Sequence, residues 1–397
     1  MNHSRSLPIC SGETTEIPIL LCAAAVATSF FTLAPALVGA LIDELGLSVR
    51  EVGLISSGEL AGSALGSALV LLYGRQFPAR VILTTALVLT GLSNLVTAHF
   101  TTAHLTTAGA DGFVAIALCR VAAGLGGGIA FSVVNVAAAR FRKPGHMFAA
   151  ISLVQMVFGI AGFMAVPAII RASGLTGVFT LLTVGSLGCA LASGLSSMCA
   201  PVHSAPLRSS LSLTPRGALL VLSLFATFLT STAMWTYLER IAVAAQLSSE
   251  VTRIGLSIGM ISGALGSLGA TVLLIRARNT DPFVIGGAAL MAISTGLLIK
   301  ASAPAAYWAA LFGFNVALSL VTPLYQTELA AESGGEGPIL VAMLAMYLGL
   351  ILGPVLGAAL VTGLGYQSFI QISAALFLTA GVLASSSALL RPQVVRS

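Results

Sequence analysis

This sequence predicts an all-α integral membrane protein of about twelve transmembrane helices, arranged as two pseudo-symmetric six-helix bundles. Three observations carry that prediction. Uncharged apolar stretches long enough to cross a bilayer recur along the chain, and from Gly337 to Leu390 there is no Asp, Glu, Lys or Arg. Of the 397 residues, 57% are hydrophobic and only 8% charged, where a soluble domain carries about a quarter charged residues. Short segments of the first half recur about 200 residues later.

A spanning helix needs about 20 mostly apolar residues to cross roughly 30 Å of hydrocarbon. On that measure the spans fall at 17–41, 52–73, 81–99, 113–139, 147–170 and 175–198 in the first half. In the second half they fall at 217–238, 254–275, 282–299, 301–327, 337–362 and 366–390. Only two of these windows contain a charge, Glu59 in the second and Arg120 in the fourth. The 42 glycines suit membrane helices, whose contacts favour small side chains because lipid gives them no hydrophobic drive to associate. The first 16 residues are polar with Arg5 as their base. The first span is longer than a signal-peptide core, so no cleavage is expected.

The pI near 9.2 is explained by orientation and not by nucleic acid, because the basic residues sit in short loops between spans. With the N-terminus inside the cell, the inner segments carry Arg5, Arg75, Arg80, Arg140, Arg142, Lys143, Arg208, Arg216, Arg276, Arg278, Arg391 and Arg396. The outer loops carry Arg50, Arg171, Arg240, Arg253 and Lys300. This imbalance places both termini in the cytoplasm of a multi-pass cell-membrane protein, expected in a bacterial inner membrane. The inner loop with Glu328, Glu332 and Glu336 does not alter it, since acids contribute little to the rule. Cys10, Cys22, Cys119, Cys189 and Cys199 are scattered and show neither metal-ligand spacing nor a disulfide framework.

The internal repeat shows around the second and eighth spans. Leu47-Ser48 recurs as Leu247-Ser248, Val52-Gly53-Leu54 as Ile254-Gly255-Leu256, and Ala64-Leu65-Gly66-Ser67 identically as Ala264-Leu265-Gly266-Ser267. Parallel six-helix repeats related by an axis along the membrane normal are an architecture of secondary transporters. The expected organisation is a cytoplasmic tail at 1–16, a bundle at 17–198, a connector at 199–216, a second bundle at 217–390 and a tail at 391–397. The connector holds Pro201, Pro206 and Pro215 and is too short for a soluble domain.

A charge at membrane depth costs about 2.5–3.5 kcal/mol on insertion scales, so it faces a partner or a wet cavity. Glu59 and Arg120 each lie seven residues into their spans from the outer side, roughly 10 Å deep at 1.5 Å per residue. Opposite charges at one depth in one bundle can pair. A carboxylate withdrawn from water binds protons more readily and a nearby arginine opposes this, so alternation between pairing and protonation would couple protons to conformational change. A permanent structural ion pair is the alternative.

Arg120 also opens Arg120-Val-Ala-Ala-Gly124-Leu-Gly126-Gly127-Gly128, an R-x-x-x-G-x-G-x-G arrangement on the fourth span. This resembles the fourth-helix motif of the major facilitator superfamily, and the resemblance covers nearly the whole chain. Met234-Trp235-Thr236-Tyr237-Leu238-Glu239 on span 7 is similar to the aromatic-rich helix 7 of the drug:proton antiporter branch and its sugar-efflux relatives. Span 11, with Gly349, Gly353, Pro354 and Gly357, is similar to that branch's glycine–proline helix. In the loop between helices 2 and 3 the family's G-x-x-x-D-R-x-G-R-R pattern keeps bases at Arg75 and Arg80, the expected cytoplasmic gate loop. Gly74 replaces the acid and Phe77 the glycine. On helix 5, Gly159 and Gly162 are present, but Pro167 falls five residues further on.

The expected function is therefore secondary transport of a small organic solute by rocking of two halves, as proton-coupled efflux (antiport). Uptake of a small organic nutrient such as a vitamin or aromatic acid is the alternative. Glu59 and Arg120 are the expected proton-coupling pair, and Gly124, Gly126, Gly128, Gly349, Gly353, Pro354 and Gly357 the helix-packing motif. Phe30, Gln155, Trp235, Tyr237 and Asn315 are candidates to line the substrate cavity. Trp235 and Tyr237 equally fit an aromatic belt, while Gln155 and Asn315 equally fit bonds between helices. His3, His99, His104, His146 and His203 are isolated, which leaves a membrane enzyme as a remote alternative. No ring of charges suggests a channel filter, and no nucleotide-binding loop suggests ATP drive. No cofactor, metal or nucleic acid is expected; the expected partners are the solute, protons and the lipid bilayer, around a monomer.

Overall fold

The computed structural model describes residues 13–102, 109–141, 144–196, 213–277, 279–331 and 337–391. The tail before residue 13, most of the connector at 199–216 with Pro201 and Pro206, and the tail after Arg391 lie outside the described residues. So do Arg5, Arg142, Lys143, Arg208, Arg278, Arg396, Glu332, Glu336, Cys10, Cys199, His3, His104 and His203.

Among the described residues the chain is helical from end to end. The helices are α1 (Glu13–Ala27), α2 (Ser29–Leu45), α3 (Val49–Tyr73), α4 (Ala79–Thr102), α5 (Gly109–Ala138) and α6 (Pro144–Gly194), then α7 (Pro215–Ala244), α8 (Ser249–Arg276), α9 (Asp281–Leu297), α10 (Pro304–Ala331) and α11 (Gly337–Leu389). α1 and α2 are one span broken at Thr28. α6 and α11, with 51 and 53 residues, each bend at a glycine with positive φ, Gly174 (64°) and Gly365 (79°), and so supply two membrane-length segments apiece. The φ of both residues lies where a side chain would be strained, so glycine makes a one-residue hairpin there. The outcome is the expected twelve spans.

Three details of the helix ends follow from the sequence. Ser48 caps α3, its hydroxyl accepting the Glu51 N–H while the Glu51 carboxylate accepts the Ser48 N–H. Ser248, its counterpart in the repeat, caps α8 by accepting the Val251 N–H, with no carboxylate to return the bond. Gly46 closes α2 with φ 65°.

The helices run past the predicted span ends, and this corrects the charge assignment. Arg216 is the second residue of α7 and Arg240 lies near its end, both buried, so neither is a loop base. Glu59 and Arg120 stand ten and eleven residues into α3 and α5, roughly 15 Å along the helix at 1.5 Å per residue.

Packing repeats between the halves. α3 lies along α5 as α8 lies along α10, and α4 meets α6 as α9 meets α11. Three helix pairs join the halves: α3 with the first segment of α11, the first segment of α6 with α8, and α2 with α7. The first two are counterparts under the repeat. The identical Ala-Leu-Gly-Ser segments account for part of this. A side chain at Gly66 would meet the backbone of Leu125 on α5, and one at Gly266 would meet the backbone of Val316 on α10. Each marks a close approach of its helix pair, where a side chain would meet backbone, and this accounts for the glycine that recurs in both segments.

Candidate functional site

α3 and α5 interlock through glycines placed alternately on the two helices. Gly62 and Gly66 face the backbone of Val121 and Leu125, while Gly124 and Gly128 face the backbone of Glu59 and Ser63. The hydroxyls of Ser63 and Ser67 donate across the seam to the carbonyls of Gly124 (3.2 Å) and Gly128 (3.4 Å). Gly126 points at α4, against Thr90 and Ala86, and Gly127 at the Ala27 carbonyl. The motif on α5 therefore seats one helix against three neighbours.

That seam sets Glu59 beside Arg120, with Arg120 Nη1 3.6 Å from Glu59 Oε2. The contact is an ion pair without a hydrogen bond, and Oε2 has no hydrogen-bond partner. Arg120 is only 1% exposed. Its Nη2 donates to Asn94 Oδ1 (2.7 Å) and Thr97 Oγ1 (3.2 Å) on α4. Its guanidinium carbon lies 5.5 Å from the ring centre of Phe30 and 5.0 Å from that of Phe179, within cation–π range. Phe30 is thus a wall of the arginine's pocket. The sequence alone does not single out Asn94 and Thr97; an amide and a hydroxyl three residues apart inside the apolar span at 81–99 are the signal that could have found them.

A second charged cluster joins the halves at the end of the molecule that carries the 46–48 turn. Arg240 on α7 makes a two-pronged pair with Asp43 on α2, Nη1 to Oδ1 and Nη2 to Oδ2, each 2.7 Å. The neighbouring Glu239 takes Arg240 Nε (2.6 Å) and Nη2 (3.0 Å). Arg240 is 8% exposed in its side chain and Asp43 62%. Glu44 accepts the N–H of Leu175 (2.8 Å), at the start of the segment that follows the Gly174 bend, where a helix N-terminus favours an anion. Asp43, Glu44, Glu239, Arg171 and Arg253 surround a cavity of about 240 Å³ floored by Phe163, Val166, Pro167 and Leu256.

Trp235 and Tyr237 work in the same seam. Pro35 has no N–H, so the Phe31 carbonyl one turn earlier loses its helical donor. The Trp235 indole N–H from the other half takes that carbonyl at 2.9 Å. The Tyr237 hydroxyl lies 3.1 Å from the Pro354 carbonyl and 3.3 Å from that of Val49. Gly349 and Gly353 receive the α7 backbone at Phe225 and Leu229, and Gly357 receives the Tyr237 ring. Gln155 donates to Thr28 at the break in the first span (2.9 Å), and Asn315 donates to its own helix at Leu311 (2.9 Å). In this conformation Trp235, Tyr237 and Gln155 bond neighbouring helices, whereas Asn315 bonds its own.

A third cluster lies inside the second half at the opposite end. Arg216 donates to Asp281 (3.0 Å) and Glu328 (2.7 Å), all three nearly buried. Thr280 donates to Glu328, and Arg391 pairs with Asp281 (2.8 Å) and Glu328 (3.4 Å) and donates to Asn279. The ends of α7, α9, α10 and α11 are tied there. The gate-loop bases are apart from it: Arg75 is exposed, and Arg80 donates to the Ser196 carbonyl at 3.2 Å. Among the described residues no group of three His, Cys, Asp or Glu side chains could hold a metal ion.

Comparison with known proteins gives a consistent answer. The family model described as Major Facilitator Superfamily matches residues 19–336. No curated protein sequence matches the chain. Among solved structures, a D-xylose-proton symporter is similar at a TM-score of 0.75 and 14% identity, over 94% of this chain and 97% of that one. A mutant of the nucleoside transporter NupG is similar at 0.72 and 12%, over 95% and 99%. The human organic anion transporter MFSD10 (TETRAN) is similar at 0.62 and 17%, over 95% and 100%. At these identities the likeness is one of fold.

Proposed function

The chain belongs to the major facilitator superfamily, and from that premise we propose that it exports a small organic solute in exchange for protons, with Glu59 as the proton-carrying group. Family and fold make it a multi-pass membrane transporter and not an enzyme. Efflux, proton coupling, a monomer, and an inner-membrane orientation with both termini cytoplasmic are our reading. In that orientation the 46–48 end faces outward.

One observation carries the coupling. Glu59 is a carboxyl deep in a spanning helix, beside an arginine but not hydrogen-bonded to it. Losing its charge therefore breaks no hydrogen bond, while gaining it is compensated by Arg120 across 3.6 Å. A group that can exist in either state at membrane depth can carry a proton between two conformations. The clasp of Asp43, Glu239 and Arg240 supports alternating access, because it joins α2 to α7 at one end only.

Transport of a panel of metabolites in inverted and right-side-out vesicles identifies the solute and its direction; accumulation in right-side-out vesicles alone would favour uptake. With that solute, Glu59→Gln keeps the shape of the site and removes the titration. Gradient-driven transport is expected to be abolished and counterflow exchange, which moves no net proton, to persist. Unchanged gradient-driven transport would remove Glu59 from the mechanism.

A further inference from the structure

Arg120 takes its hydrogen bonds from α4 and not from Glu59. Asn94 and Thr97 are both buried, at 2% and 0% exposure, and both accept from Nη2. Thr97 gives its own hydroxyl hydrogen to the Ser93 carbonyl (2.8 Å), so a lone pair is what it turns to the guanidinium. Phe30 and Phe179 close the flanks. On this geometry we propose that Asn94 and Thr97 are positioning residues for proton exchange, holding Arg120 off Glu59 at a constant distance whether the carboxyl is charged or neutral. The inference rests on Glu59 being the proton site.

The physical reason is a balance of attraction. A direct, hydrogen-bonded arginine–carboxylate pair is short and strong, and would hold Glu59 in its charged form. A guanidinium kept at 3.6 Å by two neutral acceptors attracts the carboxylate less and leaves it free to bind a proton. When the proton arrives, Arg120 retains both hydrogen bonds and both rings, so it has no cause to move. Arg120 is the charged group facing Glu59 from α5, with the Cys119 thiol close to Arg120 and Thr97. α4 offers Asn94 and Thr97, both neutral. The part of α11 along α3 carries no charged residue and presents the Tyr347 hydroxyl, which donates to Ser67.

Substitutions at Asn94 should act with opposite signs. In Asn94→Ala, Arg120 is released toward Glu59, and the carboxylate is stabilised. In Asn94→Asp, the new acid takes Arg120 and Glu59 is left without a counter-charge. The full chain in proteoliposomes is titrated with protons as the only probe, reading the infrared band of a protonated carboxyl that disappears on adding Glu59→Gln in the same background. The midpoint should move about one pH unit toward acid in Asn94→Ala and about one unit toward alkali in Asn94→Asp. Thr97→Val, closely isosteric, should move it in the acid direction by less, and reads the same sign if Asn94→Ala does not fold. Midpoints that stay put, or move the same way in both Asn94 variants, overturn the positioning role while Glu59 remains the proton site. A wild-type protein with no titrating band assignable to Glu59 overturns both.

Discussion

Two acids share one arginine across the seam at the 46–48 end, and their removal should have opposite consequences. Asp43 belongs to the first half, whereas Glu239 and Arg240 are neighbours on α7. When that end opens, Asp43 must leave and Glu239 stays. Asp43→Asn therefore weakens only the closed state. Its pair with Arg240 has two charge-assisted bonds of 2.7 Å, each worth about 1.5–3 kcal/mol when well shielded. Asp43 is 62% exposed, so solvent screening reduces the pair to about 1–2 kcal/mol, which is about a 5–30-fold shift toward the open state. Glu239→Gln weakens the open state instead, because Arg240 would then part from Asp43 with no acid left beside it. It also removes the repulsion between Glu239 and Asp43 in the closed state. The shift is of similar size and toward closure. Trp235 is a native reporter at this seam, and Trp308→Phe leaves it as the single tryptophan. Quenching by acrylamide in proteoliposomes should rise in Asp43→Asn and fall to its floor in Glu239→Gln. If Glu239→Gln opens the protein as Asp43→Asn does, Glu239 is part of the lock and the competition argument is wrong.

Other substitutions test separate parts of the structure. Arg120→Ala leaves Glu59 without its counter-charge, and breaking a buried pair costs about 3–5 kcal/mol; expression should fall and recover in part when Glu59→Gln is added, as read by the yield of monodisperse protein. Arg216→Ala should cost a similar amount, since among the described residues the half-exposed Arg391 is the one counter-charge that Asp281 and Glu328 would keep, and a thermal melt should show the loss where Asp43→Asn shows almost none. Gly66→Val and Gly266→Val should lower the melting temperature comparably, because each drives a side chain into the backbone of the neighbouring helix. A large effect at one and none at the other would undo the structural equivalence of the repeats.

The fold was legible in the sequence because lipid imposes a rule that each residue either meets or breaks locally. Apolar runs had to become helices of membrane length, and Gly174 and Gly365 then divided two long helices, the second of which carries no charge to mark its turn. The recurrence of Ala-Leu-Gly-Ser was readable for the same local reason, as the close approach it serves needs a small residue at one point of each half. Depth along a helix is also a local count, so residue numbers alone set Glu59 and Arg120 at one level. What a count cannot supply is direction around the helix and length of reach. Whether Arg120 would seek Glu59, or Asn94 and Thr97 on a third helix, depends on how α3, α4 and α5 rotate against one another. Arg240 and Arg216 looked like loop bases because helices continue past the hydrocarbon, and only the tertiary placement of α2, α9 and α10 around α7 brings Asp43, Asp281 and Glu328 within reach. Trp235 could be assigned to a belt or a cavity, but the carbonyl it binds is freed by Pro35 some 200 residues away, on the other half of the molecule. Hydrophobicity acts along the chain and fixes what crosses the membrane; hydrogen bonds and ion pairs act over about 3 Å in space, and which of them form is decided by the tertiary structure alone.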